Sequence, residues 1–127
     1  MIAVDTSALL AILLGEPEAD AFAATLAEAD ALVISAGTVA EALIVAERRG
    51  LGPQMCDLLH VLSMEVAPVT AAVAADIGEA YGRWGKGGHP AGLNLGDCFA
   101  YALASARGMP LLFKGRDFAQ TDLAPAH

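Results

Sequence analysis

The sequence predicts an α/β domain, a three-layer α/β/α sandwich around a short, mostly parallel central sheet. Three observations carry that prediction. Apolar runs too brief to be helices recur between longer stretches with helical spacing of apolar residues. Each run is followed by residues that start helices. About a fifth of the 127 residues are Ala, the strongest helix former, so helices should dominate.

The elements follow in order. Ile2 to Val4 is the first strand, and Thr6 or Ser7 caps a helix through Leu14. Pro17 sits as the first residue of another helix running to about Ala29. Leu32 to Ile34 is the second strand, and Thr38 opens a helix that continues to Arg49 and stops at Gly50. A helix over Gln54 to Ser63 carries Leu58, Leu59 and Leu62 on one stripe, and Glu65 to Ala67 is the third strand. Thr70 opens a long helix ending near Trp84. The Gly-rich segment Gly85 to Gly92 is a loop, and Asn94 opens a helix to Arg107. Pro110 to Phe113 is the last strand. Strands separated by helices and joined by right-handed crossovers give a parallel sheet covered on both faces.

The chain reads as a single domain over residues 1–127. Apolar residues make up 56% and charged residues 17%, far from the signature of disorder. The front apolar stretch, Ala8 to Leu14, falls well short of the roughly 18 residues a membrane span needs. Met1 to Asp5 lacks the basic start of a secretory leader, so the expected location is cytoplasmic. Cys56 and Cys98 are too few for a disulfide framework or a zinc site and are expected to be buried small hydrophobes. No nucleotide cofactor is expected. The net charge of −8 argues against a broad basic surface for nucleic acid, unless some carboxylates hold cations.

In parallel sheets, ligands bind beyond the carboxyl ends of the strands. The predicted order delivers four acids there. Asp5 ends the first strand. Glu41 lies in the first turn after the second, Asp97 in the first turn of the helix feeding the last strand, and Asp117 just after that strand. Each also has a purely structural reading. Thr38 to Glu41 and Asn94 to Asp97 match capping boxes, Ser7 and helix amides would satisfy Asp5, and Asp117 beside Arg116 would be a surface pair. These readings need separate explanations for acids that the topology brings to one edge. Two carboxylates about 4 Å apart repel by about 4 kcal/mol at an effective dielectric near 20. A cluster of them needs cations or bound protons, and hard oxygen donors suit Mg²⁺ or Mn²⁺ with substrate phosphate oxygens. The expected chemistry is phosphodiester hydrolysis.

The same residues resemble a known family, the PIN-domain ribonucleases, and most closely the VapC-type toxins of bacterial toxin–antitoxin pairs. The resemblance covers nearly the whole chain. It is carried by Val4-Asp5-Thr6-Ser7-Ala8, by Glu41, by Ala91 through Ala104 with Asn94-Leu95-Gly96-Asp97 inside it, and by Pro110 through Phe118 with Thr121-Asp122 behind. It implies a Mg²⁺- or Mn²⁺-dependent endoribonuclease with Asp5, Glu41 and Asp97 as principal acids. It also implies a homodimer acting on RNA and inhibited by a small VapB-type antitoxin. The chain departs from the family at Arg116, where relatives commonly carry Asn, Asp or Glu. Either Asp117 reaches the metal, directly or through water, or Arg116 supplies positive charge for the RNA.

On this reading Asp5 and Asp97 bind an ion directly, and Glu41 binds through water or orients the nucleophile. Ser7 and Asn94 orient the carboxylates by hydrogen bonds. Lys114 and Arg116 after the last strand, with Arg83 and Lys86 before the Asp97 helix, are the candidate phosphate contacts. A haloacid-dehalogenase phosphatase would need Asp-x-Asp, and here the third position is Ser7. The alternative function is a non-cleaving PIN-like dimer that binds RNA or protein.

Overall fold

The computed structural model describes all 127 residues. Its elements run β1 (Ile2–Val4), α1 (Thr6–Leu13), α2 (Ala19–Glu28), β2 (Leu32–Ser35), α3 (Ala36–Arg48), α4 (Gly52–Leu62), β3 (Glu65–Ala67), α5 (Ala71–Trp84), α6 (Leu95–Arg107) and β4 (Leu111–Leu112). A single turn of 3-10 helix follows at Phe118–Gln120. The four strands form one parallel sheet in the order β3-β2-β1-β4, as the alternation of elements predicts.

The period of two along each strand builds two cores. Ile2, Val4, Ile34 and Leu112 join Leu9, Phe22, Leu26, Ala42 and Met55 beneath α1 to α4. Their neighbours Ala3, Val33, Ala67 and Leu111 join Ile77, Trp84, Cys98 and Tyr101 beneath α5 and α6. Strands buried on both faces explain why the runs read as continuously apolar instead of alternating. The β4 edge is covered by the C-terminal segment: Leu111 N donates to Ala124 O at 3.0 Å, and Ala126 N to Leu111 O at 2.9 Å. No helix is long and apolar enough to cross a membrane.

Several sequence expectations are corrected. The cap of α1 is Asp5, not Thr6 or Ser7; its extended backbone lets the carboxylate accept from the Ser7 amide. Helix α2 begins at Ala19, because Pro17 and Glu18 lie in the turn that follows Gly15. Helix α3 begins at Ala36 behind the cap Ser35, whose Oγ accepts from Gly37 N at 3.2 Å. Thr38 therefore lies inside the helix, and Glu41 falls in its second turn. Helix α4 starts two residues before Gln54, and β4 is shorter than Pro110 to Phe113. Cys98 is buried, but Cys56 is exposed on α4, where Met55 takes the inward position beside it.

Candidate active site

Four segments meet at the carboxyl end of the sheet. Asp5 closes β1, where its amide makes the last sheet hydrogen bond, to Leu112 O at 3.0 Å. Its side chain then serves as the cap of α1. Oδ2 accepts from Ser7 N at 3.0 Å and from Ser7 Oγ at 2.6 Å, while Oδ1 is buried with no hydrogen-bond partner. The residue is only 3% exposed. An unpaired carboxylate oxygen in that setting strongly penalises the charged form. Burial pushes the Asp5 carboxyl up from its usual 3.8 to about 6; the two Ser7 hydrogen bonds pull the other way, and the negative charges of Asp97 and Glu41 add to the rise.

Glu41 is held by tertiary contacts. Its Oε1 accepts from Thr6 Oγ1 at 2.7 Å, so the capping-box reading with Thr38 does not occur. Thr6 Oγ1 also lies 3.4 Å from Thr38 O. On the far side the Glu41 carboxylate packs against Gly96, where any Cβ would collide with it. Gly96 lies in the first turn of α6, so the carboxylate rests at the positive end of that helix.

Asp97 does complete a capping box. Its Oδ2 accepts from Asn94 N at 3.0 Å, and its own amide donates to Asn94 Oδ1 at 2.8 Å. The box occupies one carboxylate oxygen and leaves the other. Burial raises the Asp97 carboxyl, Asn94 opposes the shift, and the charges of Asp117 and Glu41 reinforce it. Asp117 is exposed at the start of the 3-10 turn and makes no ion pair with Arg116. The four predicted acids are thus electrostatically coupled in series, with Asp5 and Asp97 each sensing Glu41.

The acids do not form a finished cage, since no group of three or more His, Cys, Asp or Glu side chains encloses a point as metal ligands do. Each of Asp5, Glu41 and Asp97 instead has one oxygen fixed by a hydrogen bond. The orphaned Asp5 Oδ1 and the mutual repulsion fit a hard divalent cation that prefers oxygen donors.

The structure separates the predicted orienting and phosphate-contact residues. Ser7 and Asn94 are the hydrogen-bond partners just described, and Ser7 Oγ also accepts from Lys114 N at 3.0 Å. The Lys114 ammonium is paired with Glu16 and reaches Glu18 at 3.6 Å, so it is not a free phosphate contact. Arg83 is also engaged: its guanidinium lies 3.6 Å from Asp122 and 4.5 Å from the centre of the Trp84 ring. Lys86 and Arg116 are exposed and unpaired.

Thr6 and Gly96 are the site residues that sequence reasoning missed. Nothing local to Thr6 announces a partner on another helix. Gly96 carried a usable signal, because glycine inside a helix costs about 1 kcal/mol against alanine and calls for a packing reason.

Comparison with known proteins places the chain in a family. The family model described as PIN domain matches residues 2–123. A protein named ribonuclease VapC from Mycolicibacterium smegmatis is 46% identical over 127 residues, covering 98% of both chains. The chain belongs to the PIN-domain family, among its VapC-type members. Its fold matches the crystal structure of Mycobacterium tuberculosis VapC20, described as a sarcin-ricin loop cleaving toxin, with a TM-score of 0.79 at 16% identity over 98% of this chain and 97% of that one. A toxin–antitoxin complex from Klebsiella pneumoniae contains a chain matched with a TM-score of 0.74 at 19% identity, covering 100% and 98%.

Proposed function

We propose that this protein is the toxin of a toxin–antitoxin pair, an endoribonuclease that requires Mg²⁺ or Mn²⁺ and hydrolyses RNA phosphodiester bonds at the Asp5–Glu41–Asp97 site. The observation that carries this reading is the buried Asp5 carboxylate, whose Oδ1 has no partner and whose neighbours are two further acids. The similarity to proteins named VapC ribonucleases supports the reaction class. The likeness to a chain of a toxin–antitoxin complex supports a VapB-type antitoxin as partner. Homodimeric assembly and a cytoplasmic location belong to the same proposal.

Asp5 and Asp97 would hold the cation, with Glu41 beside them. A bound divalent ion lowers the pKa of a water and polarises the scissile phosphoryl oxygen. The protein's part is preorganisation. Ser7 occupies Oδ2 of Asp5 through two hydrogen bonds, which leaves Oδ1 as the available donor. Asn94 does the same for Asp97, and Thr6 for Glu41. Because each carboxylate is fixed before substrate arrives, little reorganisation is needed during the reaction. Asp117, exposed beside Asp97, would join the site only at its rim, and Arg116 and Lys86 are the cations free to meet phosphate.

The test is cleavage of transfer, ribosomal and messenger RNA pools with and without EDTA, by the native protein and by Asp5→Asn and Asp97→Asn. Cleavage should require the metal and fall at least 100-fold in either variant. Native-level cleavage in EDTA, or by either variant, would sink the assignment. Metal binding without cleavage of any pool would favour the non-cleaving dimer.

A further inference from the structure

We infer that Tyr81 is a preorganised stacking platform for a nucleobase of single-stranded RNA, at the rim of the acidic site. The inference rests on the RNA-cleaving function proposed above. Tyr81 lies one turn before the end of α5, off the face that buries Ile77, Ala80 and Trp84. It stays 46% exposed. Two contacts fix the ring in that exposed place. Its hydroxyl donates to Lys86 O at 3.3 Å, and its body lies over Gly85, where a Cβ would run into the Tyr81 ring and carbonyl. A glycine at 85 is therefore what lets the ring lie against the loop backbone.

The platform is tied to the catalytic acids by backbone. Leu93 N donates to Trp84 O at 3.0 Å and Lys86 N to Leu93 O at 2.9 Å, which closes the base of the 85–92 loop. The next residue is Asn94, the cap that holds Asp97. The position after it, Leu95, is 66% exposed. The segment leading into the Asp97 helix thus carries a fixed aromatic ring, the unpaired cation Lys86 and, at the helix start, the exposed apolar Leu95, with the cap of Asp97 between them along the backbone.

That combination suits a single strand. An aromatic face stacks any base and a cation meets its phosphate, whereas a fixed ring loses little conformational entropy on binding. On a protein of net charge −8, stacking also supplies affinity that long-range electrostatics does not.

The experiment measures binding of a fluorescent mixed-sequence RNA oligonucleotide by anisotropy in the Asp97→Asn background, where cleavage is suppressed. It also measures KM and kcat in the otherwise native protein. Tyr81→Ala should weaken oligonucleotide binding about 10-fold and raise KM with kcat nearly unchanged. Tyr81→Leu, which keeps apolar bulk without a π face, should do the same. Tyr81→Phe and Tyr81→Trp should stay within about threefold of the parent. Equal affinity of the Ala and Leu variants and the parent, or no oligonucleotide binding by the parent, overturns the platform. Absence of cleavage by the native protein would instead sink the nuclease reading, and the binding series would still decide on Tyr81.

Discussion

The hydroxyl of Thr6, the first residue of α1, donates to Oε1 of Glu41 on α3 at 2.7 Å, a contact between positions 35 apart in sequence. Thr6 is buried and Glu41 half-buried, so the donor is held inside the fold and fixes the carboxylate that faces Gly96. Through it, the strand that carries Asp5 also sets the position of the second acid.

Replacing Thr6 by Val keeps the shape and removes the donor. A hydrogen bond to a charged group is worth about 1.5–3 kcal/mol. Thr6→Val should therefore lower kcat/KM by about 10- to 100-fold, and Thr6→Ser should recover most of the loss. Steady-state kinetics on a defined RNA checks both, and full activity in the Val variant would remove Thr6 from the site.

Gly96→Ala tests the socket for Glu41. In an ordinary helix this change stabilises by about 1 kcal/mol. Here the added methyl displaces the Glu41 carboxylate, the free end of a flexible side chain, so cleavage should fall about 10-fold or more while the melting temperature holds or rises. Thermal melts and cleavage assays of Gly96→Ala check this, and native-level cleavage by that variant would remove Gly96 from the site.

Asp5 sets a pH dependence in chelator-treated protein. Its folded pKa, about 6, lies above the usual 3.8, so the folded state binds its proton more tightly than the unfolded chain. Its contribution is fully present below about pH 4 and is lost as pH rises through about 6, a swing of about 3 kcal/mol. In EDTA, Asp5→Asn should be more stable than the native protein at pH 7, and the difference should vanish near pH 4. Denaturant titrations across that range check it; a variant less stable at pH 7 contradicts it.

Cation binding should reverse that order. A ligand at 100 times its Kd stabilises the folded state by about 2.7 kcal/mol. Saturating Mg²⁺ or Mn²⁺ should raise the melting temperature of the native protein and leave Asp5→Asn nearly unmoved. Equal shifts in both proteins would place the cation elsewhere.

Much of the fold was legible because local physics decides it. Thr70 and Asn94 cap their helices as their side chains suggest, and the glycines of 85–92 form the loop their composition demands. The Asn94–Asp97 box is a four-residue event, readable from the string alone. The box proposed at Thr38 failed because Ser35, three residues earlier, captured the start of α3, a competition that local sequence leaves undecided. Lys114 and Arg83 looked free because their partners, Glu16 with Glu18 and Asp122, come from other segments.

The amino-acid order alone determined the strand and helix alternation, and therefore the sheet edge at which Asp5, Glu41, Asp97 and Asp117 arrive. Periodicity and caps act over a few residues, and parallel connectivity leaves few topologies. Only the tertiary structure decided which oxygens are free, which cations are spent and why Gly96 has no side chain. Those outcomes depend on burial and on contacts between residues distant along the chain, and no local pattern encodes them.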